Sequence, residues 1–395
     1  MGDLSQTLAS INAVLWNDTW ILIIAGTGVL FTVWSGFMQY RALTHGPKVV
    51  RGVYDDPNDP GAINHFQALS AALSGTVGLG NIGGVALAIM LGGPGAIFWM
   101  WIVGFLGMSI KFIEVTLSML YRNTDDPENP HGGPMWVAGS ALKRMKPELG
   151  WLGTFLAFFF SLCVMTSSGT GGNMFQAWNV ADITNEYFGV EGWITGVVLT
   201  LIVGTVLLGG IRRIGKVAGT LVPAMVLIYI IAGFWVLFAN IGAVPGMLKL
   251  IVMSAFTPTE AAGAFVGGTV GSAFLFGMKR AIFSNEAGQG SSAIAHAAAK
   301  TDEPVREGLV GGMEPFIDTI VVCTFTALII LSTGIWNRAP DVAFETTPVP
   351  VQTEAGWAYA DTRLPPGDWQ DQEALLIIVE AGENAATGQN IHRIG

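Results

Sequence analysis

The sequence predicts an all-α polytopic membrane protein, and its composition, its hydropathy and the length of its apolar runs carry that prediction. Charged residues make up 12% of the 395 residues, about half the share that is usual in soluble domains, and the mean hydropathy is +0.52. Apolar runs near the ~20 residues needed to cross a bilayer recur along the chain. The chain also holds 52 glycines, so some of these runs are poor continuous helices.

Eight apolar runs are predicted to span the membrane. Lysine and arginine cluster in the loops after the first, third, fifth and seventh runs, so the positive-inside rule places both termini outside. We expect residues 1–19 to form an external segment, residues 20–334 a transmembrane domain, and residues 335–395 an acidic extracytoplasmic tail or truncated loop. The predicted spans are about Trp20–Tyr40, Phe66–Leu91, Ala96–Leu120, a run that starts at Trp151, Trp193–Gly210, Val217–Ile241, Ala261–Phe283 and Gly308–Gly334.

The second predicted span has a glycine-rich centre, from Gly75 to Gly84. Each glycine costs about 1 kcal/mol relative to alanine inside a helix, and backbone groups freed at mid-membrane need a cavity or a ligand. A span broken at mid-depth is typical of transporters that bind a small ion or solute there. Glycines that only allow tight helix packing are the alternative. Gly78–Gly83 also fits the dinucleotide pattern GxGxxG, but the uncharged run around it is the wrong context for that motif.

The sequence contains a second glycine-rich stretch and a short repeat. Ser167–Asn173 predicts a break in the fourth span. The four residues Gly75-Thr76-Val77-Gly78 recur as Gly268-Thr269-Val270-Gly271, five spans later. Because five spans reverse the direction of the chain, the two copies would be inverted, as in many secondary transporters. We therefore expect interruptions near Gly75–Gly80 and near Gly267–Gly271.

Two charged pairs lie inside predicted spans. Lys111 and Glu114 are three residues apart and should face each other as an ion pair on one helix. Glu314 and Asp318 are four residues apart on the last span. A charge inside a membrane span is a functional hypothesis by default. Lys111–Glu114 is also consistent with a structural pair near the cytoplasmic end, and Glu314 with a position close to the interface, so Asp318 is the most interesting of the four.

Three further stretches carry a family resemblance: GGPGAIFWMW at Gly92–Trp101, GNMFQA at Gly172–Ala177, and NEAGQGS at Asn285–Ser291, which is followed by AHAAAKT. They resemble the alanine or glycine:cation symporters, also called the sodium:alanine symporter family. The resemblance implies a leucine-transporter-like fold, with one N-terminal helix followed by two inverted five-helix repeats. Only two predicted spans follow the first repeat, so the second repeat is expected to be incomplete.

The resemblance also implies a site. Backbone N–H groups of Leu79 and Gly80 would bind the carboxylate of an amino acid, and Gln176 would add a donor. The remaining residues implied to surround the substrate are Thr76, Gly171, Gly271 and Phe276. Backbone carbonyls of Ser74 and Val77 would bind sodium, a hard cation that suits oxygen ligands.

The function implied is sodium-coupled symport of a small neutral amino acid, alanine or glycine, by alternating access across the plasma (inner) membrane. A truncated, transport-inactive member of the same family is the alternative, and a channel is disfavoured because the breaks do not surround a symmetric pore. The five histidines have no metal-ligand spacing, and no catalytic constellation predicts an enzyme. The expected partners are the amino acid, sodium as coupling ion and the lipid bilayer, with no other cofactor and no nucleic acid.

Overall fold

The structure is a computed structural model that describes residues 18–256 and 270–337, with Thr7 and four short strands within 342–379. In this part of the chain, two segments are π-helical, Ser168–Met174 and Phe316–Cys323. The helices are α1 Asp18–Trp34, α2 Met38–Val50, α3 His65–Thr76, α4 Leu79–Gly92, α5 Gly95–Leu120, α6 Pro134–Met145, α7 Gly150–Ser167, α8 Phe175–Phe188, α9 Gly192–Leu207, α10 Gly210–Ala239, α11 Val244–Ser254, α12 Val270–Asn285, α13 Ser291–His296, α14 Pro304–Gly311 and α15 Thr324–Ser332.

Within residues 18–256 and 270–337, every named element is helical, which confirms the all-α polytopic prediction. Within the described residues, four helical stretches are long and apolar enough to cross a membrane: Gly95–Leu120, Pro147–Phe188, Gly210–Ala239 and Pro304–Ser332. Counting each of two bent helix pairs as one span brings the number to six. The predicted span Trp193–Gly210 corresponds to the shorter apolar helix α9, and much of the predicted span Ala261–Phe283 lies outside the described residues.

The predicted first span ends earlier than expected. Its helix α1 ends at Trp34, and α2 follows at an angle of 74°. Gly36 and Phe37 have φ values of 64° and 58°, and this left-handed backbone turns the chain out of the α1 direction. The apolar character of Gly36–Tyr40 had suggested that the span continues through this corner.

The predicted break in the second span is confirmed. Helix α3 ends at Thr76, α4 begins at Leu79, and the two helices are bent by 42°. The matching interruption predicted near Gly267–Gly271 lies largely outside the described residues, and α12 begins at Val270.

The fourth span is modified at Ser167–Asn173 rather than broken. The backbone there keeps right-handed helical angles, with φ −63° and ψ −38° at Ser168, and residues 168–174 widen into a π-helix. A π-helical turn accommodates the glycines while the backbone stays hydrogen-bonded. The expectation of an unwound break was therefore wrong for this stretch.

The helices form two compact units. The first comprises the described residues of Met1–Ile82, Trp101–Ala232 and Ala281–Cys323, and the second those of Gly83–Met100, Gly233–Arg280 and Thr324–Gly395. In the first unit, α3 packs into an apolar cluster that draws on α2, α10 and α14; its buried members are Val49, Leu69, Leu73, Val77, Ala218, Val222 and Val310.

In the second unit, α5 and α11 meet closely at Gly95, where an added Cβ would lie 2.4 Å from the carbonyl of Ser254. The indole Nε1 of Trp99 donates to the carbonyl of Ala255 at 3.3 Å. Short strands follow the helices: β1 Val342–Phe344 pairs in parallel with β4 Ile377–Val379, and β2 Pro350–Thr353 pairs antiparallel with β3 Gly356–Tyr359.

Candidate functional site

A cavity of about 680 Å³ opens beside the break between α3 and α4, and all of its walls belong to the first unit. One wall is the break itself, a second is α7 with its π-helical segment and the start of α8, and a third is the end of α12 with the loop into α13. The lining residues are Ser74–Gly78, Gly80, Phe160, Cys163, Val164, Ser167, Ser168, Gly171, Gly172, Gln176, Phe283, Ser284, Glu286, Gly288, Gln289 and Ser291.

The side chain of Asn81 takes the hydrogen bond that would otherwise continue α3 through the break. To continue α3, the amide of Gly78 would donate to the carbonyl four residues before it, that of Ser74. It donates instead to Oδ1 of Asn81 at 2.8 Å. Because the Gly78 amide donates to Asn81, the Ser74 carbonyl lacks its helical donor at the edge of the cavity.

Asn81 also ties the break to Asp318 on the π-helical segment before α15. Its Nδ2 donates to Oδ1 of Asp318 at 2.6 Å, and the hydroxyls of Ser284 and Thr319 each donate to Oδ2 at 2.8 Å. Exposure is 2% or less for all four residues. Ser284 also lines the cavity, so this polar cluster lies directly behind one cavity wall.

The carboxylate of Asp318 is surrounded by neutral groups. Among the described residues, none forms an ion pair with it within 4 Å, whereas Glu314, four residues earlier, lies 3.3 Å from Nζ of Lys111 and 2.5 Å from Nε2 of His296. A buried charge without a counter-charge is costly. Carboxylate, hydroxyl and amide oxygens are also the ligands that hard cations prefer. The cluster therefore has the chemistry of a cation site.

The residues singled out from the sequence fall into two groups. Six of them line the cavity: Ser74, Thr76, Val77, Gly80, Gly171 and Gln176. Leu79 begins α4 next to this wall but is not part of it. Gly271 and Phe276 lie on α12 within the second unit and are not among the cavity residues. The roles assigned to all nine residues stay predictions.

Sequence reasoning singled out Asp318 but missed its partners. Asn81, Ser284 and Thr319 are ordinary polar residues in apolar runs, and two of them join Asp318 across more than thirty residues of chain. A polar residue directly after a helix break is the one local signal that would have pointed to Asn81.

The prediction that Lys111 forms an ion pair with Glu114 is wrong. Nζ of Lys111 pairs with Glu314 and donates to Oγ of Ser292, while Glu114 accepts from the amide of Gly288 at 3.3 Å. The i, i+3 rule considers only neighbours on one helix, and the stronger partner of Lys111 comes from another part of the fold.

A broken span, a cavity at the break and a buried carboxylate behind it are features of secondary transporters. A family model described as the sodium:alanine symporter family matches residues 1–360, and the chain belongs to this family. That family is one of transporters, so the resemblance seen in the sequence is confirmed and the function is sodium-coupled amino-acid symport rather than an enzymatic reaction.

Several curated relatives are similar to this chain. It is 42% identical over 333 residues to the sodium/alanine symporter AgcS of Methanococcus maripaludis, a match that covers 84% of this chain and 72% of AgcS. It is 38% identical over 337 residues to the uncharacterized transporter YflA of Bacillus subtilis, covering 84% and 69% of the two chains. It is 35% identical over 309 residues to the amino-acid carrier protein AlsT of the same organism, covering 78% and 63%.

Proposed function

We propose that this chain binds a small neutral amino acid, alanine or glycine, in the cavity beside Gly78 and carries it with sodium across the plasma membrane. Membership of the sodium:alanine symporter family supports the coupling ion and the class of substrate. The cavity supports the location, because it lies at the break between α3 and α4.

The groups around the break suit both charged ends of a zwitterionic amino acid. Helix α4 begins at Leu79, so the N–H groups of Leu79 and Gly80 are first-turn amides without helical acceptors. Such amides and the helix dipole favour a carboxylate. Gln176 lies on the opposite wall with a donor and an acceptor. Thr76 and Gly171 complete the proposed contact surface around the ammonium and the side chain.

Sodium is proposed to bind at the same break. The Ser74 carbonyl has lost its helical donor to Asn81, and the Val77 carbonyl lies one turn further, at the end of α3. Asp318, Ser284 and Thr319 add oxygen atoms on the far side of Asn81 and supply the negative charge. The single observation that carries the proposal is the Gly78 amide, because its hydrogen bond to Asn81 joins the open helix end to the buried carboxylate.

The test is uptake of radiolabelled alanine by the purified chain in liposomes with an inward sodium gradient. We expect Asp318→Asn to raise the sodium concentration for half-maximal uptake by tenfold or more, about 1.4 kcal/mol or above, because the variant keeps the shape and removes the charge. The matched control is Glu128→Gln, which removes an exposed carboxylate whose ion pair with Arg212 lies at the surface. Absence of sodium-dependent uptake by the unmodified chain would contradict the proposal. Unchanged sodium dependence in Asp318→Asn would contradict this sodium site.

A further inference from the structure

The chain that leads into α3 is paired with the chain that follows α13. The amides of Ala62 and Ile63 donate to the carbonyl of Ala298 at 2.8 and 3.2 Å, and the amide of Lys300 donates back to the carbonyl of Ile63 at 2.8 Å. Ile63 and Ala299 face each other as a parallel bridge. The N-terminal end of the broken span is therefore joined to residues 298–300 by backbone hydrogen bonds.

Gly61 brings the two segments into direct contact. An added Cβ at this position would lie 2.2 Å from Cα of Lys300, and its φ is 156°. Only a residue without a side chain fits between the two backbones at this distance. The segments are thus packed as tightly as their backbones allow.

One side chain closes this pairing. The guanidinium of Arg122, just after α5, donates to four backbone carbonyls, two from each of its terminal nitrogens. The carbonyls belong to Ala297 at 2.9 Å, Ala299 at 2.8 Å, Pro60 at 3.1 Å and Thr301 at 2.5 Å. We call Arg122 and these four carbonyls the Arg122 clamp. A guanidinium suits this role because its donors are fixed in a planar fork.

A buried ionic cluster ties the same end of α3 a second time. Nδ1 of His65, the first residue of α3, contacts a carboxylate oxygen of Glu307 on α14, and Nδ1 of His296 on α13 contacts the other. His65 is 2% exposed, and His296 and Glu307 are 0% exposed. Breaking either contact would remove one of the two partners of this fully buried carboxylate, which is destabilising.

We propose that Arg122 is a positioning residue for transport, which holds α3 to the 297–301 segment so that the two move as one body during the transport cycle. The consequence concerns the far end of α3, where Ser74, Thr76 and Val77 line the cavity. The clamp fixes the position of these residues relative to Ser284 and Asn285, which lie on the chain leading into the clamped segment. Movements that open the cavity must then come from elements other than a hinge at the start of α3.

This inference rests on the proposed sodium-coupled uptake, and the competing mechanism is a swing of α3 away from α13 and α14. Such a swing would break the three backbone hydrogen bonds of the pairing, the Arg122 clamp and the contact between His65 and Glu307 together. These groups would need new partners in every cycle, since buried backbone groups are nearly always paired.

The experiment locks the pairing covalently. Ile63→Cys and Ala299→Cys are introduced together, the disulfide is formed with diamide and verified by mass spectrometry, and sodium-driven alanine uptake is measured in liposomes. We expect the oxidised protein to keep the initial uptake rate of its reduced form within about twofold. If α3 and the 297–301 segment move as one body, a disulfide between them blocks no step of the transport cycle. A loss of tenfold or more that dithiothreitol reverses would overturn the proposal. Failure of the two cysteines to cross-link would also count against it.

A rescue arm separates positioning from folding. We expect Arg122→Gln to raise the sodium concentration for half-maximal uptake by about tenfold, and oxidation in the two-cysteine background to reverse most of that rise. Arg212→Gln is the matched control, since Arg212 donates to the carbonyl and carboxylate of Glu128 at the surface, and it should change nothing. A verified disulfide that fails to rescue Arg122→Gln would overturn the positioning role.

A distance measurement keeps the two proposals distinguishable. Spin labels on Phe66→Cys in α3 and Glu303→Cys before α14, both exposed, report the separation with and without sodium and alanine. We expect no change, whereas a shift of about 5 Å or more would demonstrate the swing. This measurement does not need uptake. Absence of transport in the unmodified chain would contradict the proposed function, while the label distances would still show whether α3 and the 297–301 segment move together.

Discussion

Replacing Asn81 by alanine removes a side chain that links the open end of α3 to Asp318. The two shortest hydrogen bonds lost are the one from the Gly78 amide to Oδ1 at 2.8 Å and the one from Nδ2 to the Asp318 carboxylate at 2.6 Å. Longer contacts of Nδ2 with Ser284, Cys323 and the Asp318 carbonyl are lost with them. A bond to a neutral amide contributes about 0.5–1.5 kcal/mol, and one to a charged group about 1.5–3 kcal/mol. Because Asn81 is 1% exposed, water cannot readily replace either bond. We expect Asn81→Ala to lower the free energy of unfolding by about 2–4 kcal/mol.

The same variant should weaken sodium binding, since the cluster loses its geometry at the break. We expect the sodium concentration for half-maximal alanine uptake to rise by tenfold or more, measured in liposomes beside thermal unfolding in detergent. Asn58→Ala is the matched control, because the Asn58 side chain donates only to Asp56 at an exposed turn. If the unfolding temperature and the sodium dependence of Asn81→Ala match those of the unmodified protein, the link between Asn81 and Asp318 has no role in the site.

Two further predictions test the cavity wall and the buried ionic cluster. A Cβ at Gly80 would lie 3.8 Å from Cα of Ser284, an ordinary contact distance, so Gly80→Ala should insert and fold normally. The larger side chain of Gly80→Val should abolish alanine uptake without loss of membrane insertion. Normal uptake by Gly80→Val would show that the substrate does not approach this backbone. Burial lowers the pKa of His296, but the charge of Glu314 and the hydrogen bonds to Glu307 and Glu314 outweigh it and raise the pKa from 6.5 to about 9. Protonated His296 should then contribute up to about 3 kcal/mol of stability below pH 6.5, and this contribution should be lost as the pH rises through 9. The difference in free energy of unfolding between the protein and His296→Gln should therefore shrink between pH 6 and pH 10. A constant difference would contradict the raised pKa of His296.

The break in the second span could be predicted because its cause is local. Glycines at Gly75, Gly78 and Gly80 weaken a helix wherever they occur, and the structure ends α3 at Thr76 and starts α4 at Leu79. The same reasoning failed at Ser167–Asn173, where an equally glycine-rich stretch stays helical as a π-helix. Glycine content shows where a helix is weak, but the neighbouring structure decides whether it unwinds.

The partners of the buried charges could not be predicted, because they come together only in three dimensions. Lys111 has an acidic residue one turn away, yet it pairs with Glu314, which lies more than two hundred residues along the chain. His65, His296 and Glu307 gave no signal in sequence, since no fixed spacing separates them. They meet next to the pairing of residues 61–63 with 298–300, a contact that no helical or strand period encodes.

Glu314 and Asp318 show how environment, rather than residue type, separates a carboxylate with a built-in counter-charge from one that we propose binds a cation. They stand four residues apart, and both are 0% exposed. Glu314 has its charge compensated by Lys111 and His296, so the protein itself satisfies it and leaves no need for a bound cation. Asp318 receives hydrogen bonds only from neutral donors among the described residues, and two of these donors, Asn81 and Ser284, connect directly to the helix break and the cavity wall. A cation that enters at Asp318 would therefore change the hydrogen bonds that hold the break, and through them the position of the first amides of α4. This is the physical link that coupling requires, because an ion can promote substrate binding only if it alters the energy of the groups that the substrate contacts.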